Sequence, residues 1–273
     1  MTGETTPLLT RIAEALERMS PPLPRMADLT AHPAYHWDGS ALAPVTHYAP
    51  LPVDLIIGVD RQRSDITINT RRHAQGFAAH DALLWGARGM GKSALVKSAV
   101  AALQADGLPL ALIEATVDHI ATLPALFTLL SDSQRRFILF IDDIAFDGDD
   151  SAPRALRSML EGGAEARPTN VRLYVTSNRR NIVERSMAEN EVINARDAAD
   201  DKLALADRFG LKLGFQYPDQ AGYLAMVSAY TEYYALIWEE SDALAFAHMR
   251  SGRSGRIAWH YTVELAGRAG RAI

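Results

Sequence analysis

Between about Ile56 and Phe215 the chain alternates short apolar runs with stretches whose apolar positions recur at helical spacing. The runs Leu83–Trp85, Leu110–Ile113, Phe137–Ile141, Leu173–Thr176 and Lys212–Phe215 have strand length, and their unbroken apolar character suits strands covered on both faces. Helices are predicted between them: one opened by Ser93, one within 119–130, one near Ala155–Leu160 and one within 198–207. This alternation implies βαβ units and a parallel sheet. From Asp219 to Ile273 the strand pattern disappears. Three helices are expected there, about 219–234, 239–249 and 255–270, as a small helical satellite.

Ahead of the core, Leu8, Leu9, Ile12, Leu16 and Met19 predict an amphipathic helix over 5–19 that stops before Pro21-Pro22. Seven of the thirteen prolines fall between Pro21 and Pro52, so this segment should hold neither a long helix nor a central strand. It should run extended, with one hairpin around Asp38-Gly39 between Tyr35-His36-Trp37 and Leu42. Trp37 and Tyr48 are expected to anchor this arm on the main body. Three zones result: an arm over 1–54, a core over 55–216 and a helical lid over 217–273.

Composition narrows the classes. The 273 residues suffice for one large domain with a satellite, and 48% hydrophobic with 22% charged residues is ordinary for a globular protein. A formal net charge of −5 argues against broad electrostatic binding of nucleic acid, though not against a local basic patch such as Arg135-Arg136 or Arg179-Arg180. There is no cysteine, which removes disulfides and thiolate metal sites, and the eight histidines are scattered. The charged first residues do not read as a signal peptide, and no apolar run approaches the about 20 residues of a membrane span. A cytoplasmic location without membrane contact is expected.

The candidate chemistry sits where the first of the five strands ends. Gly86-Ala87-Arg88-Gly89-Met90-Gly91-Lys92-Ser93 satisfies the phosphate-loop pattern G-x-x-x-x-G-K-[ST], and a helix with an apolar face at Leu95, Val96, Ala99 and Val100 follows. Such a turn points backbone N–H groups at a polyphosphate from the positive end of the helix, which Ala94 also helps to form. Lys92 would reach the β- and γ-phosphates and the Ser93 hydroxyl would ligate Mg²⁺. About 50 residues on, Phe137–Ile141 closes on Asp142-Asp143, a placement that suits Asp142 for the Mg²⁺ water shell and Asp143 for polarising an attacking water. The bland alternative is a strand followed by a solvated acidic loop. A further strand ends in Thr176-Ser177-Asn178, and Asn178 could bond the attacking water or the γ-phosphate, or simply cap a helix.

GARGMGKS, FILFIDD, VTSNRR, LADRFG and GRSGR, in that order, resemble an AAA+ ATPase over about residues 56–270. More narrowly, NRRN, LEGG at 160–163 with ARP at 166–168, and LADRFGLKLGF at 205–215 are similar to a bacterial group of predicted AAA+ ATPases filed as a domain of unknown function. The resemblance implies an α/β fold, a three-layer P-loop AAA+ sandwich with a five-stranded parallel sheet and a small C-terminal helical lid. It implies Asn178 as sensor 1, Arg208 as the arginine-finger candidate and Arg256, with Arg253 nearby, as sensor 2. Leu55-Ile56-Ile57-Gly58-Val59 resembles the segment that packs on adenine. Where most such enzymes carry Glu after the Walker B aspartate, this chain carries Asp143, a carboxylate set back by one methylene.

The function these readings predict is Mg²⁺-dependent ATP hydrolysis by a homo-oligomer that remodels or loads a macromolecular partner, an unidentified protein client before nucleic acid. Two alternatives stay open: an ATP-dependent switch with little turnover, suggested by Asp143, and a P-loop kinase. Arg208 could instead pair with Asp207 or Asp201, and Arg253 with Arg256 could be a solvated basic turn.

Overall fold

The structure is a computed structural model and describes residues 28–144, 156, 167–178 and 205–273. The helix expected over 5–19, most of those near 155–160 and 198–207, and Arg179, Arg180 and Asp201 lie outside the described residues.

All five expected strands form, and the chain adds two more. The arm contributes β1 (Ala34–Trp37) and β2 (Leu42–Pro44); the core contributes β3 (Ala82–Gly86), β4 (Leu110–Ala115), β5 (Arg136–Ile141), β6 (Val171–Ser177) and β7 (Leu211–Phe215). They make one seven-stranded sheet in the order β2-β1-β4-β5-β6-β3-β7, parallel except for the β1–β2 pair. The five-stranded expectation is corrected here. Proline did not keep the arm out of the sheet, because Pro33 precedes β1 and Pro44 ends the edge strand β2. Pro33 even accepts the Leu112 N–H through its carbonyl, at 3.1 Å. The hairpin falls at Asp38-Gly39 as expected, with Asp38 Oδ1 accepting the N–H groups of Ser40 and Ala41, each at 2.8 Å. Trp37 and Tyr48 do anchor the arm: Trp37 is fully buried with Nε1 donating to Thr122 Oγ1, and the Tyr48 hydroxyl donates to Lys97 O at 2.7 Å.

Helices cover both faces of the sheet. Those of the core are α1 (Asp60–Ala74), α2 (Lys92–Ala105) and α3 (Leu123–Ser131); those of the lid are α4 (Gln220–Tyr233), α5 (Glu240–Met249) and α6 (Gly255–Arg268). Two apolar clusters result, one on each face. Leu95, Val96, Ile138, Tyr174 and lid residues such as Tyr223 and Tyr261 form the first; Trp37, Leu83, Phe137, Leu139, Leu126 and Leu156 form the second. The lid helices match their sequence positions because two starts are capped: Asp219 Oδ1 accepts from Gly222 N at 2.7 Å, and Ser254 Oγ accepts from Ile257 N at 3.3 Å. One helix was missed. α1 reads DRQRSDITINTRRHA and buries Ile66, Asn69, Thr70, His73 and Ala74, so its inner stripe is largely polar and invisible to an apolar count. No helix among the described residues is long and apolar enough to cross a membrane.

Candidate functional site

β3 delivers the chain into the turn at Gly86, whose φ is +119° and whose position could not carry a side chain, since a Cβ would lie 2.1 Å from Phe215 O. Ala87 N then donates to Phe215 O at 2.8 Å, so the turn is tied to the edge strand β7. α2 begins at Lys92, with left-handed Gly91 before it, and the N–H groups of a helix's first turn have no intrahelical acceptors. The loop is therefore shaped as an anion cradle by backbone alone.

Lys92 is 5% exposed and its Nζ donates to Gly86 O, Ala87 O and Asn178 Oδ1, each at 2.9 Å. Burial pushes its pKa down to about 8, with Asp142 and Asp143 opposing that shift. Ser93 Oγ donates to Asp142 Oδ1 at 2.6 Å, and Thr176 Oγ1 donates to the same oxygen. The β5–β6 register, with Ile141 opposite Val175, brings Asp142 and Thr176 side by side. A serine hydroxyl and a carboxylate this close form the hard oxygen pair that Mg²⁺ takes beside phosphate, so the residues present fit that ion. Asp143 meets the Arg88 guanidinium at 3.2 Å through Oδ2 and the Asn178 amide through Oδ1.

These groups line a cavity of about 400 Å³. Its apolar lining comes from three places: Leu51 of the arm, Ile56 and Ile57 before α1, and Met226, Tyr230 and Trp259 of the lid. Tyr230 and Trp259 meet edge to face at 5.9 Å. The lid touches the loop directly, since Arg256 N donates to Gly89 O at 3.0 Å, and a Cβ on Gly89 (φ +77°) would meet Ser254 Oγ at 3.1 Å.

Of the expected residues, Ile57, Arg88, Gly89, Met90, Gly91, Lys92, Ser93, Ala94, Asp142, Asp143, Asn178 and Arg256 share this cavity. Gly86 and Ala87 act behind it, as acceptors for Lys92. Gly58 is not among the lining residues, but a Cβ there would meet Met226 Cε at 3.3 Å. Arg253 is not among the lining residues, and its Nη2 lies 3.5 Å from Gln220 Oε1. Arg208 sits exposed in the turn before β7, away from the cavity of its own chain; Asp207 beside it accepts from Lys212 Nζ at 2.5 Å. Sequence reading missed Thr176, Leu51, Met226, Tyr230, Gly255 and Trp259. Thr176 was legible as a strand-tip hydroxyl next to the acid pair. The lid residues occupied ordinary core positions of helices and carried no local signal.

A family model described as "Protein of unknown function (DUF815)" matches residues 30–269. The chain belongs to that family. No curated protein matches this DUF815 chain. Among solved structures it resembles the Thermotoga maritima RuvB Holliday junction branch migration motor at a TM-score of 0.52 and 17% identity, over 82% of this chain and 68% of that one. It resembles the Aeropyrum pernix ORC1 protein, solved in complex with DNA, at 0.56 and 15%, over 84% and 68%. It also resembles Hsp104, reconstructed in a closed state with ATPγS and FITC casein, at 0.50 and 20%, over 80% of this chain and 38% of that one. The DUF815 chain thus has the AAA+ fold.

Proposed function

We propose that this protein binds ATP with Mg²⁺ and hydrolyses it to ADP and phosphate, as a homo-oligomer that works on a macromolecular partner. The observation that carries the reading is the convergence of Lys92, Ser93, Asp142, Asp143, Asn178 and Arg256 on one cavity whose remaining lining includes apolar and aromatic side chains. A base fits the apolar lining and a polyphosphate fits the cationic side chains. Ser93 and Asp142 would hold Mg²⁺, which when bound offsets charge on the phosphate oxygens.

The protein's own part is positioning and charge. Loop N–H groups and Lys92 hold the phosphates from one side, and Arg256 reaches the same space from the first turn of a lid helix. Asn178 orients the attacking water and Asp143 takes its proton. The exposed Arg208, outside its own chain's cavity, would serve a neighbouring subunit's nucleotide. The tie of Asp143 to both Arg88 and Asn178 favours a second reading, a nucleotide-dependent switch with slow turnover. The negative net charge makes a protein client the partner of choice over DNA.

Steady-state phosphate release from ATP, without any acceptor, tests the reading. Asp143→Asn should retain ATP binding and slow release by about 10²-fold or more. Unchanged release in that variant would remove Asp143 from the reaction. The trans role adds a second demand: mixing Lys92→Ala with Arg208→Ala subunits should restore part of the activity that each lacks alone. An oligomer that shows no such rescue would leave Arg208 a residue of the fold.

A further inference from the structure

Arg88 holds one of the four variable positions of the phosphate loop, where the motif makes no demand on the side chain. Its Nη2 nevertheless lies 3.2 Å from Asp143 Oδ2. Oδ1 of the same carboxylate accepts from Asn178, whose own oxygen accepts from Lys92 Nζ. The backbone of Asp143 is held too: its N–H donates to Thr176 Oγ1 at 2.8 Å, and it sits at φ +56°, a left-handed conformation rare outside glycine, asparagine and aspartate. The acid thus has both carboxylate oxygens engaged. The two cations beside it, Arg88 and Lys92, bond to protein groups.

The two ties differ in strength. The Arg88 and Asp143 side chains are 67% and 51% exposed, and pairs of that kind are weak and easily exchanged. The terminal phosphate of ATP carries more negative charge and more acceptor oxygens than one carboxylate, and the guanidinium fork can bond two of them at once. Arg88 faces the same cavity as Lys92 and Arg256. A triphosphate in that cavity would therefore draw Arg88 off the carboxylate.

We propose that Arg88 is a positioning residue shared between protein and nucleotide: it holds Asp143 in the nucleotide-free protein and moves to the terminal phosphate of ATP, releasing the acid to its water. The proposal rests on the ATP site described above and adds to it a side chain that tells ATP from ADP. A diphosphate lacks the γ-phosphate and leaves the Arg88–Asp143 pair in place. Activation of the acid is thereby tied to the presence of the γ-phosphate.

The test compares wild type, Arg88→Ala and Arg88→Lys by calorimetric titration with MgATP and with MgADP, together with phosphate release. In Arg88→Ala the ATP affinity should fall about tenfold while ADP affinity changes less than about twofold, the scale of one lost charge-assisted bond. Phosphate release should slow by more than the affinity loss explains. Arg88→Lys, a point charge without the fork, should recover part of both. In an Asp143→Asn background, where no carboxylate competes for Arg88, ATP should bind more tightly, and adding Arg88→Ala should remove that gain. An ATP-to-ADP affinity ratio unchanged from wild type in both Arg88 variants would reduce Arg88 to a surface ion pair and overturn the proposal. Wild-type protein that binds neither nucleotide would instead overturn the underlying site, and this inference with it. Thermal unfolding of each variant separates these outcomes from loss of fold, and Arg88→Lys keeps the test valid should Arg88→Ala unfold.

Discussion

The two ends of the parallel sheet carry similar residue types and use them in opposite ways. At the carboxyl ends of the strands, Lys92, Arg88, Asp142, Asp143, Thr176 and Asn178 bond largely to one another's side chains around an open cavity. At the amino ends, polar groups are sunk into the protein and bond mostly to backbone. Asn69 bridges His80 N and O at 2.9 and 2.8 Å and donates to the Tyr174 hydroxyl at 3.0 Å. His73 Nε2 lies 3.1 Å from both Phe137 O and Asn170 O, and Asp81 pairs with Arg167 at 2.6 Å while accepting Leu173 N. Backbone partners cannot leave without unfolding a strand. Side-chain partners facing a cavity can be exchanged for a ligand's. One end of the sheet is thus fastened and the other is available, which is what a site needs from its scaffold.

The contrast can be broken at either end. The largest effect should come from Lys92→Ala, which removes the buried cation of the cavity. ATP affinity should fall by about 10²-fold or more, read by calorimetry, with the melting temperature nearly unchanged. Retained affinity would mean that the cavity is not a nucleotide site. Asn69→Ala should do the reverse. It strands two backbone groups and removes one of the two partners of the buried Tyr174 hydroxyl, so stability to denaturant should drop by about 2–3 kcal/mol while ATP affinity stays within about twofold. A mutant with wild-type stability would show that the amino-end network does not fasten the sheet.

The smallest effects are those of pH, and they separate the ends by sign. Burial holds the His73 pKa down to about 4 against an ordinary 6.5. The folded protein therefore binds fewer protons than the unfolded chain between those values. Stability should fall as pH drops from 6.5 towards 4, and His73→Gln should flatten that slope. At the other end, Lys92 titrates near 8 in the free protein, and phosphate favours its charged form. ATP affinity should weaken as pH rises above 8, with proton uptake on binding detectable from buffer-dependent calorimetric heats. A pH-independent affinity from 7 to 9 would place Lys92 out of contact with the phosphates.

What the sequence determined by itself is local. The phosphate loop, the acid pair, the five parallel strands, the three lid helices and the arm hairpin were all legible, because each is written in consecutive residues: a strand-length apolar run, a turn that only glycine allows, a cap. α1 was not legible. Its buried stripe of Asn69, Thr70 and His73 looks solvated until the strands supply the partners that make burial affordable. β1 was not legible as an interior strand, since local composition says nothing about which edge a segment will meet. The cavity's apolar lining was beyond reach for the same reason. Leu51, Ile57, Met226, Tyr230 and Trp259 come from the arm, the core and the lid, and only the packing of these on one another makes them neighbours. Tertiary structure alone separated Arg256 from Arg253. They are three positions apart in one short turn, but Ser254 caps α6 between them, so that Arg256 lies in the first turn of the helix with its N–H on Gly89 O while Arg253 stays outside near Gln220. Chain neighbours share composition, whereas a site selects by direction, and direction is fixed only when helix, loop and sheet meet.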